Sequence, residues 1–341
     1  LPVRVVEGSP RRTALRRLRG DRGAIAGLAL FAAIVVFVLA APLWANHVAD
    51  TGPNATHTTA KVEVDGEPRE VVSVEGKPVG PLWFGAGGKF FLGADGRLGR
   101  DEMVRLMYGG RTSLFISLTA SLIATLSALA LALLAGWFRG RVDAVISFLL
   151  DVIWAFPVLL LGIALGTALA VGGLKLGPIS ISAGSVWIPT LIGAFVFAAY
   201  IARPLRGEVL ALREQEFVKA AVAGGAGSGR VMLSELLPNL VPTAIVLFTV
   251  NVANMMLLEA GLSFLGAGVQ APDASWGTMI AGGFEQIVSS PLLMILPSTM
   301  VFLTVLSLNL IGDGLGAALN PRSRVTIEAH TGRFEPQHET A

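Results

Sequence analysis

Apolar residues fall in long blocks along most of this chain, not in alternation. A helix that crosses a bilayer core needs about 20 mostly apolar residues. Six blocks meet or approach that length, at roughly 24–45, 112–138, 144–172, 185–202, 240–262 and 292–315. The fourth is the shortest. Pro157, Pro189 and Pro242 lie within blocks and predict kinks. Between the first two blocks the pattern changes. KVEVDGEPREVVSVEGKPV alternates polar and apolar residues, with Asp65-Gly66 and Glu75-Gly76 as turn signals. That predicts one or two small β-hairpins in an insertion at 47–92. Segment 263–291 is too polar and too interrupted to span, with Pro272, Asp273, Trp276 and Pro291. Trp276, Phe264 and Phe284 suit an interfacial, partly re-entrant segment, acting as a gate or docking surface or as an anchor.

The fourth and fifth blocks are separated by the largest polar break within the core, at 203–238. Here 204–225 predicts a helix that starts at Pro204, carries a stripe of Val209, Leu212, Phe217, Ala220 and Ala221, and stops at Gly224-Gly225. A second short helix is predicted over 228–237, capped by Ser228, with Pro238 marking the start of the next span. The run GGAGSGRV at 224–231 has the spacing of a phosphate-binding loop, but Arg230 and Val231 replace its lysine and its hydroxyl. No strand pattern precedes it. The glycines instead let two helices meet at a tight angle.

Composition agrees with the blocks: 53% of the 341 residues are hydrophobic and 15% are charged. The fold class expected is an all-α polytopic membrane protein with six transmembrane helices and a small β-rich insertion. The first block is too long and too late for a signal peptide. Charge placement sets the expected orientation. Seven arginines precede residue 24; with 139–143, 203–238 and the tail after 316, one side holds seventeen Lys and Arg. The two short loops opposite, 173–184 and 263–291, hold only Lys175. Both termini are therefore expected inside. The expected layout is a basic segment 1–23, a first helix 24–45, an outer loop 46–111, a core 112–315 containing 204–238, and a tail 316–341.

With no cysteine, thiolate catalysis is excluded, and the four histidines lie outside the apolar blocks without metal-ligand spacing. No catalytic, metal-binding or nucleic-acid-binding set stands out. Asp151 is an acidic residue inside a block, so it is either a gating contact or half of a structural pair, with an Arg as its natural partner. A secondary transporter would need coupling groups at mid-membrane and often an internal repeat; neither is seen. Close helix contact is expected at Gly136/Gly140, Gly162/Gly166 and Gly312/Gly316.

The break also carries a resemblance. Ala220-Ala221, Gly225, Leu237 and Pro238 match, in register, the cytoplasmic motif E-A-A-x3-G-x9-I-x-L-P of ABC importer permeases. Lys219 stands at the motif's Glu and Glu235 at its Ile. EFVKAA is similar to the form used by the dipeptide/oligopeptide/nickel subgroup. Stretches at 90–118, 257–280 and 309–322 resemble further parts of that subgroup, so the likeness covers 90–322. The resemblance implies a type I importer permease fold with no catalysis of its own. It implies that Glu216, Phe217, Ala220, Ala221, Gly225, Leu237 and Pro238 form a coupling helix docked on a separate ATPase. It further implies two ATPase subunits carrying ATP and magnesium, a second homologous permease, an extracytoplasmic substrate-binding protein, and an inner (plasma) membrane setting. The implied solute is a di- or oligopeptide, with a nickel chelate or glycoside as the alternative.

Overall fold

A computed structural model describes residues 18–319, apart from 65–66, 84–86, 97 and 177–178. The basic segment up to 17, the Asp65-Gly66 turn and the tail from 320 lie outside the described residues. Nine helices carry the argument. They are α1 Arg22–Leu39, α2 Glu102–Phe138, α3 Gly140–Trp154, α4 Val158–Gly172, α5 Trp187–Arg213, α6 Glu216–Ala223, α7 Ser228–Phe264, α8 Trp276–Phe284 and α9 Leu292–Leu319. Of these, α1, α2, α5, α7 and α9 are each long and apolar enough to cross a membrane. The third apolar block is not one straight span. It is broken into α3 and α4, which meet at 88°. Pro157 causes the break: it has no N–H for the helical ladder and stands in extended conformation as the first cap of α4. Among the described residues, five helices are thus long and apolar enough to span, or six if the bent pair crosses once.

The long helices begin and end for local reasons. The Asp21 carboxylate accepts from Gly23 N at 2.8 Å and Ala24 N at 3.2 Å, capping α1. Asp101 caps α2, accepting from Val104 N at 3.0 Å and from Phe90 N at 2.7 Å. Burial pushes the Asp101 carboxyl above its ordinary pKa, while those two N–H donors pull it down. Pro189 bends nothing, because it sits in the first turn of α5, where its missing N–H would have had no partner. Pro204 and Pro242 lie inside helices, as does Pro297.

Two ladders with a four-residue step on α2 organise the core. Ala120, Ala124, Ala128, Ala132 and Gly136 are all buried and form a small-residue seam against the parallel α5. A Cβ on Gly136 would lie 2.5 Å from Val209 Cγ1, which shows how closely the two helices approach. One position round, Ser113, Ser117, Ser121 and Thr125 are buried too. Ser117 Oγ lies 3.8 Å from Met256 Sδ of α7. Of the predicted glycine pairs, Gly162 and Gly166 approach Leu262 and Ala267, and Gly312 approaches Val250. Gly140 has open space around it and instead takes φ +55° at the α2–α3 break.

Packing sorts the molecule into two ends. Gly314 of α9 rests on Ala24 at the start of α1, while Val38 at the far end of α1 rests on Gly110 near the start of α2. The ends of α2, α5 and α9 and the whole of α6 therefore share one end. The other end gathers segment 47–101, the α4–α5 connection and α8. In segment 47–101 one hairpin forms, β1 Lys61–Val64 paired with β2 Glu67–Glu70. It is followed by an isolated Val72–Pro78 bridge and a small core of Val71, Phe90 and Ala94. A second hairpin, β3 Leu174–Leu176 with β4 Ile179–Ile181, joins α4 to α5. Its three-residue strands are too short for the alternation of polarity to show in the sequence.

Candidate functional site

The α5–α7 connection departs from the reading of the sequence in three ways. Pro204 does not start a helix; α5 runs through it to Arg213. The break comes at Glu214-Gln215, where Gln215 is extended and caps α6 without a side-chain bond. That break resets the helical phase, so the inward residue is Val218, 1% exposed, and Phe217 is 40% exposed. The second predicted helix is not separate either. It begins at Gly227 rather than under a Ser228 cap and runs unbroken into α7. Pro238 lies within that helix, preceded by a π-helical turn over Val231–Leu236. Proline donates no N–H, and its ring crowds the carbonyl four residues back, which favours the wider turn. Asn239 Nδ2 donates to Glu235 O at 2.6 Å in the same stretch.

Three cations and a carboxylate hold the connection rigidly. Arg213 donates to Trp137 O at 2.5 Å, with its guanidinium 5.1 Å from the Trp137 ring. Arg139 at the α2–α3 break donates to Glu214 at 2.9 Å, and Lys219 stands 3.6 Å from the other Glu214 oxygen. Arg139, with Lys219 beside it, holds the Glu214 carboxyl below the usual carboxylate range. Lys219 is thus paired within the segment, at the position where the resembled motif has Glu. Underneath, Val218 joins Val231, Leu236 and Leu240 in the main apolar cluster.

The exit from α6 is closed by two backbone hydrogen bonds. Gly225 N donates to Val222 O at 3.0 Å and Ala226 N to Ala221 O at 3.0 Å. These are the paired bonds of a Schellman motif, which needs a left-handed residue, and Gly225 has φ +81°. Glu216, Phe217, Ala220, Gly225 and Pro238 are exposed, and Ala221 and Leu237 are half-buried. The result is a short, rigid, two-sided helix. One face is fixed to the bundle; the other offers a phenylalanine among small residues.

The two remaining candidates lie elsewhere. Asp151 pairs with Arg203 of α5, whose guanidinium sits 4.4 Å from the Trp154 ring; Trp154 stacks on Tyr200 at 4.6 Å. One helical step on, Arg206 donates to both Asp143 oxygens, at 2.5 and 2.6 Å. Trp276 is at the opposite end and is not an interfacial anchor. It is fully buried, donating from Nε1 to Leu106 O at 2.9 Å. It enters because Gly110 leaves room: a Cβ there would lie 2.6 Å from the indole. Reading the sequence missed Glu259, fully buried between α2 and α8. The signal was present, since Glu259 is the only charged residue in block 240–262.

Comparison with known proteins places the chain among transport permeases. The family described as "Binding-protein-dependent transport system inner membrane component" matches residues 128–325. "N-terminal TM domain of oligopeptide transport permease C" matches residues 9–59. The chain is 32% identical to the dipeptide transport system permease protein DppC of Alkalihalophilus pseudofirmus, over 93% of this chain and 91% of that protein. It is 30% identical to the oligopeptide transport system permease protein OppC of Bacillus subtilis, over 91% and 89% respectively. It is 34% identical to the glutathione transport system permease protein GsiD of Pectobacterium atrosepticum, over 68% and 72%.

Proposed function

The chain belongs to the binding-protein-dependent transport system inner membrane component family, and we propose from that premise that it is the permease subunit of an ATP-driven importer of di- or oligopeptides. Members of such a family work with ATPase and substrate-binding partners. In this reading the full assembly contains a second homologous permease, two ATPase subunits and an extracytoplasmic binding protein. ATP and magnesium belong to the ATPase subunits, and this chain catalyses nothing. The end carrying α6 faces the cytoplasm of an inner membrane, consistent with the bias of Lys and Arg toward that side. The segment with β1, β2 and α8 faces outward, toward the binding protein.

One observation supports this most: α6 is braced from two spans and leaves a face of Phe217, Ala220 and Gly225 uncovered. A rigid helix fixed to α5 and α7 transmits a push into both. Glu216 and Ala221 flank that face, and Leu237 and Pro238 set how α7 leaves it. The Asp151–Arg203 pair ties α3 to α5 just above this region, where an inner gate would be strained. Trp276 holds α8 to the bundle at the outer end.

The reading is tested by purification and calorimetry. The chain isolated from its native membrane brings ATPase subunits with it, and the assembly takes up peptide in an ATP-dependent way. The chain alone gives no saturable heat with ATP. ATP binding by the chain alone, or uptake without ATPase subunits, contradicts it.

A further inference from the structure

Two ion pairs join α3 to α5, and they are built differently. Asp143 accepts from Arg206 with both oxygens, at 2.5 and 2.6 Å, and these side chains are 18% and 30% exposed. That pair is a brace. Asp151 accepts with one oxygen from Arg203 Nη2, and these side chains are 61% and 38% exposed. Among the described residues no hydrogen bond reaches Asp151 Oδ2, Arg203 Nε or Arg203 Nη1. The open pair is nonetheless held in place. The Arg203 guanidinium lies 4.4 Å from the centre of the Trp154 ring, and Trp154 stacks on Tyr200 at 4.6 Å. Arg203 is ten residues from the end of α5 at Arg213 and sixteen from its start at Trp187, so about 15 and 24 Å along the axis. Neither end is within reach of a side chain that would carry its charge to the headgroups. Charged side chains at such depth face protein or a water-filled cavity, not lipid. Among the described residues nothing covers this pair, so its face belongs to a path or to another chain.

We infer that Asp151, Arg203 and Trp154 line the solute path and form a contact station for the charged ends of a peptide, an inference that rests on the importer reading above. The chemistry is complementary. A peptide with free ends carries one carboxylate and one ammonium. The Arg203 fork has unused N–H donors for the carboxylate, and Asp151 Oδ2 is open to the ammonium. Asp151 and Arg203 neutralise each other while the path is empty. Each end of a peptide then replaces one partner, so no bare charge is left within the membrane at any point. The single bond makes this exchange feasible, whereas the two-bonded Asp143–Arg206 brace resists it. Trp154 keeps the guanidinium in position while its ion-pair partner is exchanged.

The native chain has no cysteine, so a single reporter can be placed. Ala155 is exposed and lies one helical turn beyond Asp151, donating from its N to Asp151 O at 2.9 Å. In the assembled transporter in lipid nanodiscs, a charged methanethiosulfonate reagent labels Ala155→Cys, because water reaches the path. Val36→Cys, exposed on α1, stays unlabelled because it faces lipid. With binding protein and ATP present throughout, a tripeptide at about ten times its half-saturating concentration slows labelling of Ala155→Cys about tenfold. Adding Asp151→Asn and Arg203→Gln leaves the labelling and removes the slowing. If that triple variant fails to assemble, Arg203→Lys, which keeps the charge and loses the planar fork, weakens the slowing at the same peptide concentration. Labelling no faster at position 155 than at position 36 overturns the inference. Slowing that survives neutralisation of the pair, or is unchanged by Arg203→Lys, also overturns it and leaves the pair as a tie between helices or to the second permease. Peptide uptake by the unsubstituted assembly is read separately. Its absence overturns the importer reading, and the contact station falls with it; uptake without any slowing of labelling overturns the contact station alone.

Discussion

Gly225 offers the sharpest perturbation of the α6 exit. An added Cβ would meet nothing within 4 Å, so the cost of Gly225→Ala is conformational alone. At φ +81° an L-residue loses about 1–2 kcal/mol relative to right-handed backbone. Gly224 is the internal control. Its φ is −75°, and its Cβ would rest at 3.4 Å from Ala220 O, an ordinary contact, so Gly224→Ala should be close to neutral. The bonds at stake are the two from Gly225 N and Ala226 N. A loss of about 1–2 kcal/mol raises the population of the opened turn roughly 5–30-fold. Hydrogen exchange at the Ala226 amide, measured in detergent micelles, should accelerate by that factor in Gly225→Ala and not in Gly224→Ala. Gly225→Asn, which tolerates left-handed backbone, should fall between. The unfolding midpoint of the bundle should barely move, because only Ala226 of the turn touches the main apolar cluster and Gly225 itself is exposed. Equal exchange in the Gly224 and Gly225 variants would refute the assignment of a required left-handed cap. In the assembled transporter the same variant should lower uptake per ATP hydrolysed, while Ala221→Asp, which puts a charge on the half-buried side of α6, should abolish uptake without preventing membrane insertion.

Two other perturbations probe the frame around α6. Gly136→Val should destabilise by about 1–3 kcal/mol through overpacking on Val209, and Val209→Ala in the same chain should recover most of it, read from thermal melting. Glu214 is held below the usual carboxylate range mainly by Arg139, so its pairing supports the folded segment above the ordinary Glu pKa and is lost as pH falls through the lowered value. The protection factor of the Lys219 amide, its exchange rate relative to an unstructured amide at the same pH, should therefore be flat from neutral pH down to about 5 and fall in more acid solution, and Arg139→Gln should remove that acid limb. An Arg139→Gln chain with the same acid limb would contradict the pairing.

How much of this was legible in the sequence depended on what each residue does locally. Blocks of apolar residues announced the spans because lipid leaves a helix no other way to satisfy its backbone. The Gly225 exit was readable too, since it follows from glycine's freedom. Boundaries at prolines were misread. Pro204 looked like a helix start and Pro238 like the entry to the next span, yet both lie inside helices. Pro157 looked like a kink and is a full break. The difference lies in tertiary packing, which no single-residue signal carries. Trp276 was read as an interfacial ring because its polarity suits that place; the pocket left by Gly110 on another helix decided otherwise. Glu259 was visible as a lone acid, but its full burial is set by the packing of distant segments that carry no pattern to gather them.

The central claim is that α6 is the surface through which an ATPase drives this chain, and one measurement reaches it directly. Single cysteines replace Phe217 and Ala220 on the uncovered face, and Val74, 97% exposed at the opposite end, serves as the comparison. A short bifunctional thiol reagent is applied to the assembled transporter carrying single cysteines on its ATPase subunits. The account predicts that Phe217→Cys and Ala220→Cys cross-link to an ATPase subunit, with a yield that changes when ATP is added, and that Val74→Cys does not. Cross-linking to the ATPase from Val74→Cys, with none from either α6 position, would contradict it.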